Sequence, residues 1–141
     1  MNKISIIVPC YNEDAALPIY YKEMCKIMAQ MKEEEFELIF VDDGSTDHTL
    51  AEMKILHEKD ERCQYFSFSR NFGKEAAIYA GLKNATGEYA AIMDVDLQDP
   101  PSLLPKMYEI LQTEDYDSVA TRRSTRSGEP KIRSFLSESF Y

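Results

Sequence analysis

The chain has 141 residues, with 25 acidic against 16 basic side chains and a formal net charge of −9. That length fits one compact domain with a substantial core, and 44% hydrophobic residues exclude a disordered or collagen-like chain. The acidic balance argues against nucleic acid as a partner, because non-specific binding needs a basic face to displace counterions.

No apolar run reaches the roughly 20 residues that span a bilayer. The apolar stretch after Lys3 is too short for a signal peptide and no small-residue cleavage site follows it. Cys10, Cys25 and Cys63 are widely spaced and read as small buried residues in a reducing compartment. A cytosol-facing domain is expected.

Strand and helix patterns alternate along the chain. Ile4 to Pro9 is a continuous apolar run, as in a strand buried on both faces. From about Glu13 to Met31 the pattern is helical, with Leu17, Tyr20, Tyr21, Met24, Ile27, Met28 and Met31 at spacings of three and four. Phe36 to Val41 is a second strand, broken at Asp42-Asp43-Gly44-Ser45, and Asp47 is placed to cap a second helix. Tyr65 to Phe68 is a third strand and Phe72 to about Lys83 a third helix, closed by Thr86-Gly87. Tyr89 to Met93 is a fourth strand, followed by a helix near Ser102 to Leu111 and a fifth strand at Tyr116 to Thr121. A last helix carries Ile132, Phe135, Leu136 and Phe140 on one side.

Strands separated by helices imply βαβ crossovers and an α/β domain with a mostly parallel sheet. In such sheets ligands bind at the carboxyl ends of the strands. Polar clusters sit at each of these ends: Tyr11-Asn12-Glu13, Asp42-Asp43, Arg70-Asn71, Asp94-Val95-Asp96 and Arg122-Arg123.

Asp94 and Asp96, one residue apart past a buried strand, can project into one cleft with the amide oxygen of Gln98. Such oxygens suit Mg²⁺ or Mn²⁺, with further ligands from a substrate phosphate; a polar loop in which Asp99 or Ser102 caps the next helix is the alternative. Adjacent Asp42 and Asp43 repel unless a donor, a cation or solvent offsets their charge, and a carboxylate there can accept from a base or from ribose. Pro9 fixes a turn, Tyr11 offers a flat stacking face, and Glu13 either holds ribose or sits in the first helical turn. Residues 121–133 hold five of the basic residues and one acid, a positive site suited to pyrophosphate or a lipid phosphate, or else a solvated loop. His48 and His57 lack ligand spacing, and no nucleophilic triad, G-x-G-x-x-G or Walker loop is present.

Residues 8–13 (VPCYNE), 41–47 (VDDGSTD), 70–74 (RNFGK), 93–101 (MDVDLQDPP) and 121–129 (TRRSTRSGE) together resemble family 2 glycosyltransferases with the GT-A (Rossmann-like) fold. The similarity is greatest to the branch that uses dolichyl or undecaprenyl phosphate, and it runs the length of the chain. The resemblance implies an inverting transfer of sugar from a nucleotide-diphospho-sugar to a polyprenyl phosphate, with a UDP-sugar the first candidate and GDP-mannose left open. It implies that Pro9, Tyr11, Glu13, Val41 and Asp43 hold the base and ribose. Asp94 and Asp96, with Gln98, would bind Mg²⁺ or Mn²⁺ and through it the diphosphate. Arg123 would sit by the phosphates or the acceptor, with Arg122 as the alternative. The stretch with Arg126 and Glu129 is closer to bacterial members.

In that family the chain continues through an acceptor segment and membrane-associated helices. Residues 1–141 are therefore expected to be a single GT-A domain, the donor-binding portion, truncated before the acceptor-side half. Beyond Arg133 the one acidic residue is Glu138. Membrane association would come from the missing part, at the cytoplasmic face, and the fragment's apolar terminal helix would be covered by a second copy of the chain or else fray. A sugar-nucleotide-binding module without catalysis is the second reading. A phosphoacceptor signalling domain is disfavoured, because the acidic pair follows the second strand and the last strand ends in arginines instead of lysine.

Overall fold

The computed structural model describes residues 2–98, 100–113, 118–123 and 131–137, the last two ranges by their backbone. The elements in chain order are β1 (Lys3–Cys10), α1 (Ala16–Gln30), β2 (Glu35–Asp42), α2 (Thr49–Lys59), β3 (Cys63–Ser67), α3 (Lys74–Lys83) and β4 (Tyr89–Ile92). A 3₁₀ turn (Pro101–Leu103) then leads into α4 (Leu104–Thr113), followed by β5 (Ser118–Arg123) and β6 (Lys131–Ser137). All six strands form one sheet in the order β3-β2-β1-β4-β6-β5. The first four are parallel, and β6 runs antiparallel to both β4 and β5. The α/β, mostly parallel architecture expected from the alternation is present.

The apolar runs explain the sheet's centre. Ile4, Ile6, Val8 and Cys10 of β1, with Phe36, Leu38 and Phe40 of β2, join one buried cluster with α1, α2 and α4. Ile39 and Val41 of β2 face the other way, against Ala77 of α3. A strand covered on both faces needs apolar residues at successive positions, which is how β1 reads. In α1 the buried set is Leu17, Tyr20, Met24, Ile27 and Met28, a stripe at helical spacing. Pro18 falls in its first turn, where a missing N–H costs no intrahelical bond. Fully burying each such side chain contributes about 1.5–3 kcal/mol.

Four details differ from the sequence expectations. The segment with Ile132, Phe135 and Leu136 is strand β6, inserted between β4 and β5, and not a helix. A short apolar run carries no decisive period, and pairing with the edge of β4 satisfies backbone groups that a helix there would leave open. Residues 131–137 therefore present no helical stripe for a second copy of the chain to cover. The fifth strand begins at Ser118 and extends through Arg123, beyond Thr121. Helix α3 begins at Lys74 instead of Phe72 and ends with Asn84 at its C-cap, in an ordinary conformation, so Gly87 is not a left-handed cap. Gly87 instead presses on β1, where a Cβ would lie 2.6 Å from the carbonyl oxygen of Lys3.

The fourth difference is a buried polar network at the amino ends of the strands. Glu37, 3% exposed, accepts the Ser5 hydroxyl at 2.5 Å, the Thr86 N–H at 2.7 Å and the Thr86 hydroxyl at 3.0 Å. Gly87 N–H in turn donates to Ser5 Oγ at 2.9 Å. The network fastens the α3–β4 turn to β1 and β2, which is why a carboxylate is tolerated in the middle of an apolar strand. Asp99, Tyr116, Arg126, Glu129, Glu138 and Phe140 lie outside the described residues. Among the described residues no helix is long and apolar enough to cross a membrane.

Candidate donor-binding cleft

Chain connections leave β1 in one direction towards β2 and β3, and return on its other side at β4. A crevice opens at such a reversal, outside the carboxyl ends of the strands. The register brings these ends level: Pro9 pairs with Val41 and Cys10 with Asp42, and Met93 N–H donates to the Ile7 carbonyl at 3.0 Å. The cleft there has a volume of about 220 Å³ and is lined by Pro9, Cys10, Tyr11, Glu13, Asp43, Lys74, Asp94, Val95 and Asp96. Tyr11 is 47% exposed, leaving its ring open to the cleft mouth.

Three loops form three of the walls and are fastened to one another by side-chain hydrogen bonds. Asn12, at φ 52°, donates its N–H to Ser45 Oγ at 2.8 Å, while its own side-chain oxygen accepts Thr46 N–H at 2.8 Å. Glu13 N–H donates to the Thr49 hydroxyl at 2.8 Å. Asp42 is spent on the scaffold, accepting Ser45 N–H at 2.9 Å and the Ser67 hydroxyl at 3.0 Å. Asp43 holds the loop before α3: Phe72 N–H donates to it at 2.8 Å, and Gly73 N–H and the Asn71 side chain at 3.2 Å. These donors resolve the repulsion between the adjacent acids. Gly44 makes the turn at φ 73°, and a Cβ there would fall 2.2 Å from the Arg70 carbonyl carbon. Only glycine fits both the conformation and the space.

Asp47 stands one residue before the N-cap position, His48, and accepts the Thr49 N–H at 2.9 Å. Burial acts to raise its pKa, but hydrogen bonds from Thr49 and Asp14 outweigh that and hold it below the ordinary carboxylate value. Glu13 is shifted the other way: burial first, then the charges of Asp96 and Asp47, raise its pKa. Burial foremost, with the nearby acids, pushes the Cys10 thiol up, so it is no nucleophile.

The fourth wall carries the Asp-x-Asp pair. Asp94, 7% exposed, lies with Oδ1 2.8 Å from the Lys74 ammonium. Asp96 is exposed at the cleft rim and accepts Gln98 N–H at 3.1 Å. Leu97 adopts φ 61° and packs partly against the core, turning the loop sharply after Asp96. Among the described residues no three acids, histidines or cysteines form a ready-made metal cage. Two carboxylates at a cleft, one already matched to a cation's charge, do fit a hard divalent ion that takes its other oxygens from a phosphate.

Of the residues singled out from sequence, Pro9, Tyr11, Glu13, Asp43, Asp94 and Asp96 line this one cleft. Val41 is fully buried beneath it against Ala77, and Gln98 is exposed on the loop and does not line it. Arg122 and Arg123 end β5, and their side chains lie outside the description. Sequence reasoning passed over Lys74. Its signal was the lysine closing the Arg70–Lys74 motif, but its partner Asp94 belongs to a different loop, so local pattern could not pair them.

The family model for glycosyl transferase family 2 matches residues 5–139. The chain is 41% identical over 139 residues to a prophage bactoprenol glucosyl transferase homolog of Escherichia coli (strain K12), covering 99% of this chain and 45% of that protein. It is 40% identical to the bactoprenol glucosyl transferase of Shigella phage SfX, with the same coverage. The chain thus spans less than half the length of these curated relatives. Among solved structures it superposes on the Pyrobaculum calidifontis mannosyltransferase PcManGT, in complex with GDP-Man and Mn²⁺, with a TM-score of 0.72 at 21% identity, covering 96% of this chain and 44% of that one. Glucosyl-3-phosphoglycerate synthase from Mycobacterium tuberculosis, in complex with UDP, gives 0.72 at 20% identity, covering 98% and 57%. These two likenesses establish the GT-A fold, and the match across nearly all 141 residues makes the chain a member of glycosyl transferase family 2.

Proposed function

We propose that residues 1–141 are a single GT-A domain, the donor-binding part of an enzyme that moves a sugar from a nucleotide-diphospho-sugar to a polyprenyl phosphate, with inversion. The observation that carries this reading is the single cleft that gathers Tyr11, Glu13, Asp43, Asp94 and Asp96 from three separate loops. The relatives named as bactoprenol glucosyl transferases support the lipid acceptor and a glucosyl donor, hence a UDP-sugar before GDP-mannose.

In this reading Pro9, Tyr11, Glu13, Val41 and Asp43 form the nucleoside end. Tyr11 stacks on the base, and Asp43, already fixed by the 71–73 loop, accepts from the base with its remaining lone pair. Asp94 and Asp96, with Gln98, would hold Mg²⁺ or Mn²⁺, which when bound offsets charge developing on the departing diphosphate. Arg123, or its neighbour Arg122, serves the phosphates or the acceptor. A lipid phosphate oxygen is already anionic, so the chain's task is positioning more than proton removal. The acceptor side and attachment to the cytoplasmic face of the membrane belong to the rest of the parent enzyme.

A thermal-shift panel of UDP, GDP, UDP-glucose and GDP-mannose, each with and without Mn²⁺, tests the reading. Stabilisation by the uridine compounds that depends on Mn²⁺ is expected. No stabilisation by any of the four overturns it.

A further inference from the structure

Lysine is an unfavourable choice for the first residue of a helix, where the macrodipole favours negative charge. Lys74 occupies that position in α3, and Asp94 answers it across the cleft at 2.8 Å. The same carboxylate is one of the two that would hold the cation. An ammonium and a divalent ion cannot both neutralise Asp94 Oδ1 at that distance without repelling each other.

We propose that Lys74 is an exchangeable placeholder for the cation: it pairs with Asp94 while the cleft is empty and passes to the donor's diphosphate when the metal arrives. This inference rests on the donor-binding reading of the cleft. Three observations support the exchange. Lys74 lines the same cleft as Asp96 and Glu13, so its released head remains within reach of an anion bound there. Its side chain is 51% exposed, whereas that of Asp94 is held at 9%, so the lysine is the more solvent-accessible member of the pair. Lys74 itself begins α3, so its ammonium projects from the positive end of that helix, which also favours an anion nearby. Metal alone must break the Lys74–Asp94 ion pair and brings no anion in exchange. Metal with a diphosphate does not, because the lysine exchanges one anion for another. Binding of the two is thereby coupled, and Lys74 acts as a positioning residue for the pair.

Calorimetry on the full 141-residue chain and on Lys74→Met separates the two effects. Titrated with Mn²⁺ alone, Lys74→Met is expected to bind about two- to fivefold more tightly, the scale of losing one partly exposed ion pair. Titrated with UDP in saturating Mn²⁺, with GDP in parallel, it is expected to bind about tenfold more weakly, from loss of a charge-assisted contact. Lys74→Arg, which keeps the charge, is expected to restore most of the diphosphate affinity. Mn²⁺ affinity no tighter in Lys74→Met than in the parent overturns the placeholder, whatever UDP does. A parent chain that binds neither UDP nor GDP with Mn²⁺ instead removes the donor-binding reading and this inference with it. Lys74→Gln, checked by its melting curve, stands in if the methionine variant misfolds.

Discussion

Asp43 Oδ1 accepts the backbone N–H of Phe72 at 2.8 Å, so the carboxylate at the end of β2 sets the path of the loop that starts α3. One residue earlier, Asp42 accepts from Ser45 and Ser67 and does not line the cleft. The two acids that look alike in sequence have separate tasks: Asp42 closes the turn, and Asp43 shapes the cleft wall while facing into it.

Asp43→Asn should therefore have two consequences. An amide presents N–H where Gly73 and Asn71 also donate, so the loop loses contacts and the melting temperature falls. If Asp43 also accepts from the base, nucleoside affinity drops by about 1–3 kcal/mol, the range for losing a hydrogen bond to a charged group. Titration with the free nucleoside, which has no phosphate for a metal to bridge, is the measurement. A loss confined to diphosphates would move Asp43 from the base to the cation.

Gly44→Ala probes the same wall through the backbone. The left-handed φ of 73° costs a residue with a Cβ about 1–2 kcal/mol, and the contact with the Arg70 carbonyl carbon forces the 70–73 loop outward. The variant is expected to lose about 2 kcal/mol or more of stability and most of its nucleotide affinity. Chemical denaturation beside a binding titration reads both, and wild-type affinity in a destabilised variant would show that the loop path does not matter to the donor.

A control lies at the other end of the sheet. Asp60 accepts the Tyr21 hydroxyl at 2.7 Å and Arg62 Nη2 at 2.7 Å, joining α1 to the turn before β3. The Arg62 hydrogen bond foremost holds its pKa well below the ordinary carboxylate value, against the effect of burial. A depressed folded pKa means stability that is present above the unfolded value and lost as pH falls towards the folded one. Asp60→Asn should cost about 1–3 kcal/mol near neutral pH and flatten the fall in melting temperature below about pH 4. Nucleotide binding should be unchanged, and an equal acid slope in both proteins would remove Asp60 from the account.

The parallel half of the sheet was legible because β1 and β2 carry apolar runs that break off at polar clusters, Tyr11-Asn12-Glu13 and Asp42-Asp43. The reversal of β6 was not. Ile132, Phe135 and Leu136 sit at spacings that serve a helix as well as a strand, and what decides between them is the edge of β4, far back in the chain. Glu37 was hidden for a related reason: within an apolar run a single acid reads as an interruption, and its partners Ser5 and Thr86 come from other elements. At the site, residue types and strand ends were readable, since Tyr11, Glu13, Asp43, Asp94 and Asp96 do meet. The Lys74–Asp94 pair needed the fold, because nothing local to either residue points to the other.

Asp96 gives the sharpest separation of binding from folding. It is exposed, it follows the short strand β4, and its one described hydrogen bond is to Gln98 N–H within its own loop. Its removal opens no cavity and leaves no buried group unpaired, so Asp96→Ala should keep the circular dichroism and melting temperature of the parent. It also removes a charge that raises the Glu13 pKa, which relieves repulsion at the cleft and adds no strain. What it takes away is one of the four carboxylates that line the cleft, and the partner of Asp94 in the proposed cation site. With Asp94 matched to Lys74 and its neighbouring carboxylate removed, the proposed cation site loses one of its two carboxylate donors. The free nucleoside should still bind, while the gain in UDP affinity on adding Mn²⁺ should vanish. Calorimetry of UDP with and without Mn²⁺ on the folded variant measures that gain directly, and an increment equal to the parent's would place the cation elsewhere.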